Sequence, residues 1–146
     1  MDSIFNYDIT LAADSHRIVP PTGTSLPATL IIATEDDLIS SNEELLRKIL
    51  AAVKLAPDID YHLLRIKTSK QLLGLAPFCR RYEIRRCLVF GLSSQVLSLQ
   101  IEPISYRPFW ISDVHYLFAD RLEEIASDRT RKAALWETIQ PFFASL

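Results

Sequence analysis

The chain has 146 residues, of which 49% are apolar, 23% charged and only 3 glycine; this is the composition of a packed globular chain and excludes the low-hydrophobicity, high-charge signature of disorder. A chain of this length buries most of the surface that its unfolded form exposes, so one core is expected. A formal charge of −2 provides no overall field for polyanions, and contact with nucleic acid would need a local patch.

The first 27 residues end in Pro20-Pro21-Thr22-Gly23-Thr24-Ser25-Leu26-Pro27, a turn-rich cluster that continues neither a helix nor a central strand. Residues 1–27 are therefore expected to form an arm and linker, and residues 28–146 a single α/β domain. Within the arm, Ile4, Phe5, Tyr7, Ile9 and Leu11 are separated mostly by polar residues, the pattern of an extended segment with one apolar face. Such a segment either packs on its own domain or docks on a partner.

Thr29-Leu30-Ile31-Ile32-Ala33 predicts a first strand buried on both faces. Ser41 and Glu44 have capping-box spacing, and Leu46, Ile49, Leu50 and Val53 then recur at helical spacing until Ala56-Pro57. A second strand is expected from Tyr61 to Ile66, and a short helix from Ser69 to Ala76, stopped by Pro77. Cys87-Leu88-Val89-Phe90, closed by Gly91, predicts another interior strand. Leu97, Leu99 and Ile101 alternate with polar residues and predict an extended segment at the sheet margin, with a further short strand at Phe109-Trp110-Ile111. Asp128 is placed to cap a C-terminal helix whose one face carries Leu135, Trp136, Ile139, Phe142 and Phe143, with Pro141 expected to perturb or shorten its end. Alternation of strand and helix implies a mostly parallel sheet.

No stretch approaches the roughly 18 to 20 uninterrupted apolar residues of a membrane span, and Met1-Asp2-Ser3 opens without the basic flank and apolar run of a secretory signal. A cytoplasmic location is expected, with Cys79 and Cys87 reduced and serving as small apolar residues. Gly23, Gly74 and Gly91 are too far apart for either glycine-rich phosphate cradle. Gly91-Leu92-Ser93-Ser94-Gln95 follows a nucleophile elbow for three positions, but Gln95 stands where the second glycine is required. His16, His62 and His115 have no carboxylate or cysteine at metal-ligand spacing, so no metal or cofactor is expected.

Two clusters remain. Asp36-Asp37 follows the first strand, where open α/β sheets gather their sites. Such a pair either holds a magnesium ion or activates a water, or forms a solvated loop ahead of the helix. Arg80, Arg81, Arg85 and Arg86, interleaved with Tyr82, form the one dense basic patch, for nucleic acid or for a protein partner. On a strand and its approach, alternate arginines would point to opposite faces.

Ser127-Asp128-Arg129-Thr130-Arg131-Lys132-Ala133-Ala134-Leu135-Trp136-Glu137-Thr138-Ile139 resembles the end of the psi subunit of bacterial DNA polymerase III, with the basic residue, Ala-Ala-Leu-Trp and the following Ile carrying the match. Leu30-Ile31-Ile32, Leu45-Leu46-Arg47-Lys48-Ile49-Leu50 and Ala56-Pro57-Asp58 also look like psi, as do Phe90-Gly91-Leu92 and Leu97-Ser98-Leu99. The matches run in order over roughly residues 28–140.

The resemblance implies a three-layer α/β/α sandwich with a mostly parallel sheet, like that of uracil-DNA glycosylases but without their activity. Those enzymes carry a Gly-x-Asp-Pro loop after the first strand and a histidine-serine-proline loop after a late one. This chain has Ala33-Thr34-Glu35-Asp36-Asp37 and Trp110-Ile111-Ser112-Asp113-Val114 at the positions compared, with no histidine in the second. The resemblance further implies a non-catalytic bridge, in which the globular part binds a chi subunit and the N-terminal peptide binds the clamp loader. The psi peptide carries a tryptophan flanked by arginines, whereas this arm has Asp8-Ile9-Thr10-Leu11 and Arg17, leaving Phe5, Tyr7, Ile9 and Leu11 as the candidate docking residues. The alternatives are a divergent DNA glycosylase or hydrolase using Asp36 or Asp37, and a receiver-like signalling domain phosphorylated at Asp37.

Overall fold

The computed structural model describes residues 27–57, 59–67, 74–99 and 102–144. The arm, with Phe5, Tyr7, Ile9, Leu11 and His16, lies outside the described residues. The chain proceeds as β1 (Thr29–Thr34), α1 (Ser40–Ala52), β2 (His62–Ile66), α2 (Leu75–Tyr82), β3 (Arg86–Phe90), β4 (Phe109–Ile111), β5 (Val114–Ala119), α3 (Leu122–Ser127) and α4 (Arg129–Ala144).

The five strands form one sheet in the order β2-β1-β3-β5-β4, with every pairing parallel except the β4–β5 hairpin at one edge. Every residue of β1 and of β3 is buried, as continuous apolar runs between two parallel neighbours require. At the opposite edge β2 alternates buried and half-buried positions, because one of its sides has no strand partner. Ser112 and Asp113 join β4 to β5 in a two-residue turn with φ of 48° and 68°, matching the positive dihedrals of the tight hairpin turns that follow the sheet's twist.

Alternate strand residues feed two cores. Leu30, Ile32, Cys87, Val89, Tyr116 and Phe118 pack against α2 through Leu75, Phe78 and Cys79. On the other face Ile31, Leu88, Phe90 and Leu117 pack against α1, α3 and α4. Each fully buried large side chain of this kind contributes about 1.5–3 kcal/mol by leaving water, so helices on both faces of the sheet are what hold it closed. Among the described residues no helix is long and apolar enough to cross a membrane.

Several local expectations are corrected. The helix after β1 starts at Ser40 with Ile39 as N-cap and no side-chain cap bond, so Ser41 and Glu44 form no capping box. Its first turn is held instead by Asn42, whose buried amide donates to the Asp37 carbonyl at 3.1 Å. Pro77 does not stop a helix spanning Ser69–Ala76; it sits in the first turn of α2, where a missing N–H costs no helical bond. Residues 68–73 are outside the described set. Leu97 and Leu99 are not strand residues: Leu97 and Leu99 donate to the Ser94 carbonyl in a turn, and both side chains plug the core beneath it. Pro141 leaves α4 running to Ala144, and Trp136 turns away from the buried face to 39% exposure, one helical step round from Leu135. Two elements had no counterpart in the sequence reading, β5 and the short α3.

Candidate functional site

Loops that leave neighbouring parallel strands toward opposite faces of a sheet open a crevice at the strands' carboxyl ends. Here β1 leads to α1 on one face, while β3 leads through Gly91 to Leu92, Leu97 and Leu99 in the core of the other. A cleft of about 490 Å³ lies at the ends of β3 and β5, lined among others by Gly91, Ser93, Glu102, Ser105, Arg121 and Glu124.

Gly91 fits this place for two reasons. Its φ is +70°, which side-chain-bearing residues rarely adopt, and a Cβ there would meet the Arg121 Cγ at 2.5 Å and its Cα at 3.1 Å. The Gly91 N–H donates to the Ala119 carbonyl at 2.9 Å, extending the β3–β5 pairing into the cleft floor. Ser93 is exposed, and its Oγ accepts the Val96 N–H at 3.4 Å. Residues 94–98 form a turn, so the strand-to-helix geometry of a nucleophile elbow does not form around Ser93.

The two aspartates after β1 part company. Asp36 is exposed and lies 3.8 Å from the Arg121 guanidinium. Asp37 is not part of a solvated loop: its side chain is 1% exposed, and its carboxylate accepts the N–H of Leu122 at 2.6 Å and of Glu123 at 3.1 Å. Those are orphan donors of the first turn of α3, so Asp37 caps a helix remote in sequence and welds the crest of β1 to that of β5. Arg121 Nε adds a contact with Asp37 at 3.7 Å.

The far wall is built by a second carboxylate. The Tyr106 hydroxyl donates to Asp120 Oδ2 at 2.7 Å, and Arg131 Nε lies 3.2 Å from the same oxygen. Burial, together with the contact to Asp120, pushes the Tyr106 phenol up, so it remains a donor throughout the neutral range. Tyr106 itself holds φ at +64°, its N–H donating to the Phe118 carbonyl at 2.8 Å and its carbonyl accepting Thr138 Oγ1 at 3.4 Å. These bonds fix the loop that carries Glu102 and Ser105 over the cleft.

Asp120, Arg121, Tyr106 and Arg131 were not singled out from the sequence. Asp120-Arg121 directly after a strand end was the available signal, hidden because β5 was not recognised. The loop compared with the glycosylase histidine loop, Trp110 to Val114, is the β4–β5 hairpin at the amino end of β5. At the carboxyl end of that last parallel strand the residues are Asp120 and Arg121, followed by Leu122.

The arginine patch is divided. Arg80 and Arg81 lie exposed in the last turn of α2 rather than on a strand, and Arg85 is exposed just before β3. Arg86 is 8% exposed with its guanidinium 5.8 Å from the Phe143 ring centre, and burial lowers its pKa. His115 pairs across the sheet with both Arg86 and Trp110, stacking on the Trp110 ring at 4.3 Å and 6°. His62 is buried in β2. Among the described residues no group of three or more His, Cys, Asp or Glu side chains is placed to hold a metal.

The rim of the crest is acidic. Glu35, Asp36, Glu102, Glu123 and Glu124 are exposed around the carboxyl ends of β1, β3 and β5, while Arg121 is drawn toward Asp36 and Asp37. No protein-family model matches this chain, and no curated protein matches it.

Proposed function

We propose that the chain is a non-catalytic, psi-like accessory subunit of the replicative DNA polymerase III holoenzyme, with a uracil-DNA glycosylase-like fold, bridging the clamp loader to a chi-like partner through protein–protein contacts. The observation that carries this is the employment of the acids at the strand ends. Asp37 gives both carboxylate oxygens to the backbone of α3, and Asp120 is held by Tyr106 and Arg131. A general base must be within reach of a substrate proton, and Asp37, with a side chain 1% exposed and both oxygens engaged by backbone donors, is turned to the fold rather than to the cleft. Glu102 and Glu124 at the cleft disfavour the phosphates that a DNA-processing cleft must attract, with Arg121 the cation among the cleft's lining residues.

The segments that carry the psi resemblance support the same reading by where they fall. Ile31 of β1, Leu46 and Leu50 of α1, Phe90 of β3, and Leu135 and Ile139 of α4 belong to one core layer. Leu30, Ile32, Leu92, Leu97 and Leu99 of the same segments belong to the other core layer, and Ala133 and Trp136 are exposed. In this reading the protein works in the cytoplasm without a cofactor, its globular part docks on a chi-like subunit, and Phe5, Tyr7, Ile9 and Leu11 insert into a clamp-loader subunit.

The test is a pull-down of the full chain from native extract, alongside a chain lacking residues 1–27. Recovery of clamp-loader subunits with the full chain, and their loss on truncation, is the expected result. Recovery of none of them refutes the bridge. Release of base from uracil-containing DNA by the purified chain, abolished by Asp36→Asn, would establish the enzyme instead.

A further inference from the structure

Cys79 and Cys87 meet on the face of the sheet covered by α2. The sequence turns back sharply between them: Glu83 adopts φ of 57° at the end of α2, and the Ile84 N–H donates to the Cys79 carbonyl at 2.9 Å. This C-cap aims the last turn of the helix straight into β3. Both cysteines are free, 2% and 0% exposed, with sulfurs 3.5 Å apart. Tyr116, which pairs with Cys87 across the β3–β5 ladder, is buried in the same core. Two thiols and a phenol thus share one small region inside an otherwise apolar core.

We propose that Cys79 and Cys87 form a reversible intramolecular disulfide in the folded chain when a two-electron oxidant of the peroxide class reaches them, clamping α2 onto β3. The sulfurs are 3.5 Å apart and a disulfide bond is about 2.05 Å long, so closing it takes an approach of roughly 1.5 Å. The approach calls for rotation about the cysteine side-chain bonds with a small shift of the eight-residue α2.

The electrons balance within the pair. One sulfur, as thiolate, attacks the peroxide O–O bond and becomes a sulfenic acid, and the leaving oxygen departs as water after protonation. The second sulfur then displaces the sulfenic hydroxyl, which leaves as a second water, and the S–S bond forms. Two thiols lose two hydrogens and two electrons, and one peroxide becomes two waters. A dithiol reductant reverses the bond by exchange.

Burial and the neighbouring Cys79 push the Cys87 thiol up, so its thiolate is scarce at neutral pH. The reaction is therefore slow for bulky reagents and proceeds with small oxidants or during brief lifting of α2. Where a cell keeps thiols reduced, the pair rests as a dithiol and the disulfide is a response to oxidant. Its consequence is mechanical: α2, which bears Arg80 and Arg81, becomes bonded to the strand that bears Arg86.

The experiment treats the native full chain with hydrogen peroxide and reads intact mass, free thiols after unfolding, and amide hydrogen exchange across residues 75–82. The expected product is a monomer lighter by two hydrogens, with no free thiol, slower exchange in α2, and full recovery on reduction. Cys79→Ser and Cys87→Ser each abolish the internal crosslink. Should either serine variant fail to fold, a crosslinked peptide joining Cys79 to Cys87 in the unmutated chain decides the matter. Recovery of both thiols at a dose that oxidises the urea-unfolded chain overturns the proposal, as do intermolecular dimers in place of the internal bond. Unchanged exchange in α2 overturns the clamp.

Discussion

Leu122 and Glu123 begin α3 with N–H groups that no intrahelical carbonyl can accept, and the Asp37 carboxylate accepts both. Asp37→Ala removes a buried cap and strands two donors, and is expected to lower unfolding stability by about 1–2 kcal/mol. Asp37→Asn keeps one acceptor and is expected to cost less. Urea unfolding of both variants measures this, the midpoint shifting without a change of slope. Gly91→Ala is expected to cost about 1–2 kcal/mol from its left-handed backbone alone, and more because its Cβ would press on Arg121 at 2.5 Å. The same unfolding experiment reads it, and an effect no larger than that of an exposed alanine substitution would contradict the packing described.

His115 gives a pH signature. Burial, helped by Arg86, lowers its folded-state pKa below the ordinary 6.5. As pH falls through 6.5 the unfolded chain takes up the proton first, so stability is full above that value and declines down to the folded pKa. His115→Gln is expected to flatten the decline just below pH 6.5, as measured by urea unfolding across that range. Glu43 acts at lower pH. Its hydrogen bond with Arg65 holds its carboxyl below 4.5, adding stability that is lost only as pH falls beneath that range.

At the scale of elements, the parts legible in the sequence were those where one periodic pattern outweighed everything else. Leu30-Ile31-Ile32 and Leu88-Val89-Phe90 are buried on both sides by parallel neighbours, and a continuous apolar run has few other uses. Asp128 caps α4 as its position suggested, accepting the Thr130 N–H at 2.9 Å. Elements set by long-range contacts were hidden. Asp37 and α3 are joined across a separation of 85 residues, and nothing local to either announces the bond. Pro77 carries opposite meanings at the start and the end of a helix, and only the paired strand decides which applies. Leu97 and Leu99 alternate like strand residues because a turn over a core can bury every second side chain as well.

The face of α4 supplies an element-scale test. Ile139 is fully buried, whereas Trp136 is 39% exposed, although both lie in the apolar stripe that the sequence presents. Ile139→Ala is expected to destabilise by about 2–5 kcal/mol through the cavity it leaves. Trp136→Ala is expected to stay within about 1 kcal/mol, as surface positions generally do. Comparable losses for the two, by thermal or urea unfolding, would mean that α4 sits on the sheet in a different rotation.

Across the described residues, both ends of the sheet carry acids and bases. The carboxyl ends of the strands carry Glu35, Asp36, Glu102, Glu123 and Glu124 with Lys67 and Arg121, and the approach to the amino end of β3 carries Arg80, Arg81 and Arg85 with Glu83. Asp37 and Asp120 beside the cleft are bound to backbone and side-chain donors, whereas Asp36 is exposed. The site was less legible than the fold because its parts, Gly91, Asp37, Tyr106 and Asp120, come from four loops that only the assembled sheet brings together. The proposed role requires that the chain join a polymerase assembly. Size-exclusion co-elution of the purified full chain with a reconstituted clamp loader from the same source tests that most directly. A stoichiometric complex that dissociates when residues 1–27 are removed is the predicted result, and separate elution of the two under the same conditions would contradict it.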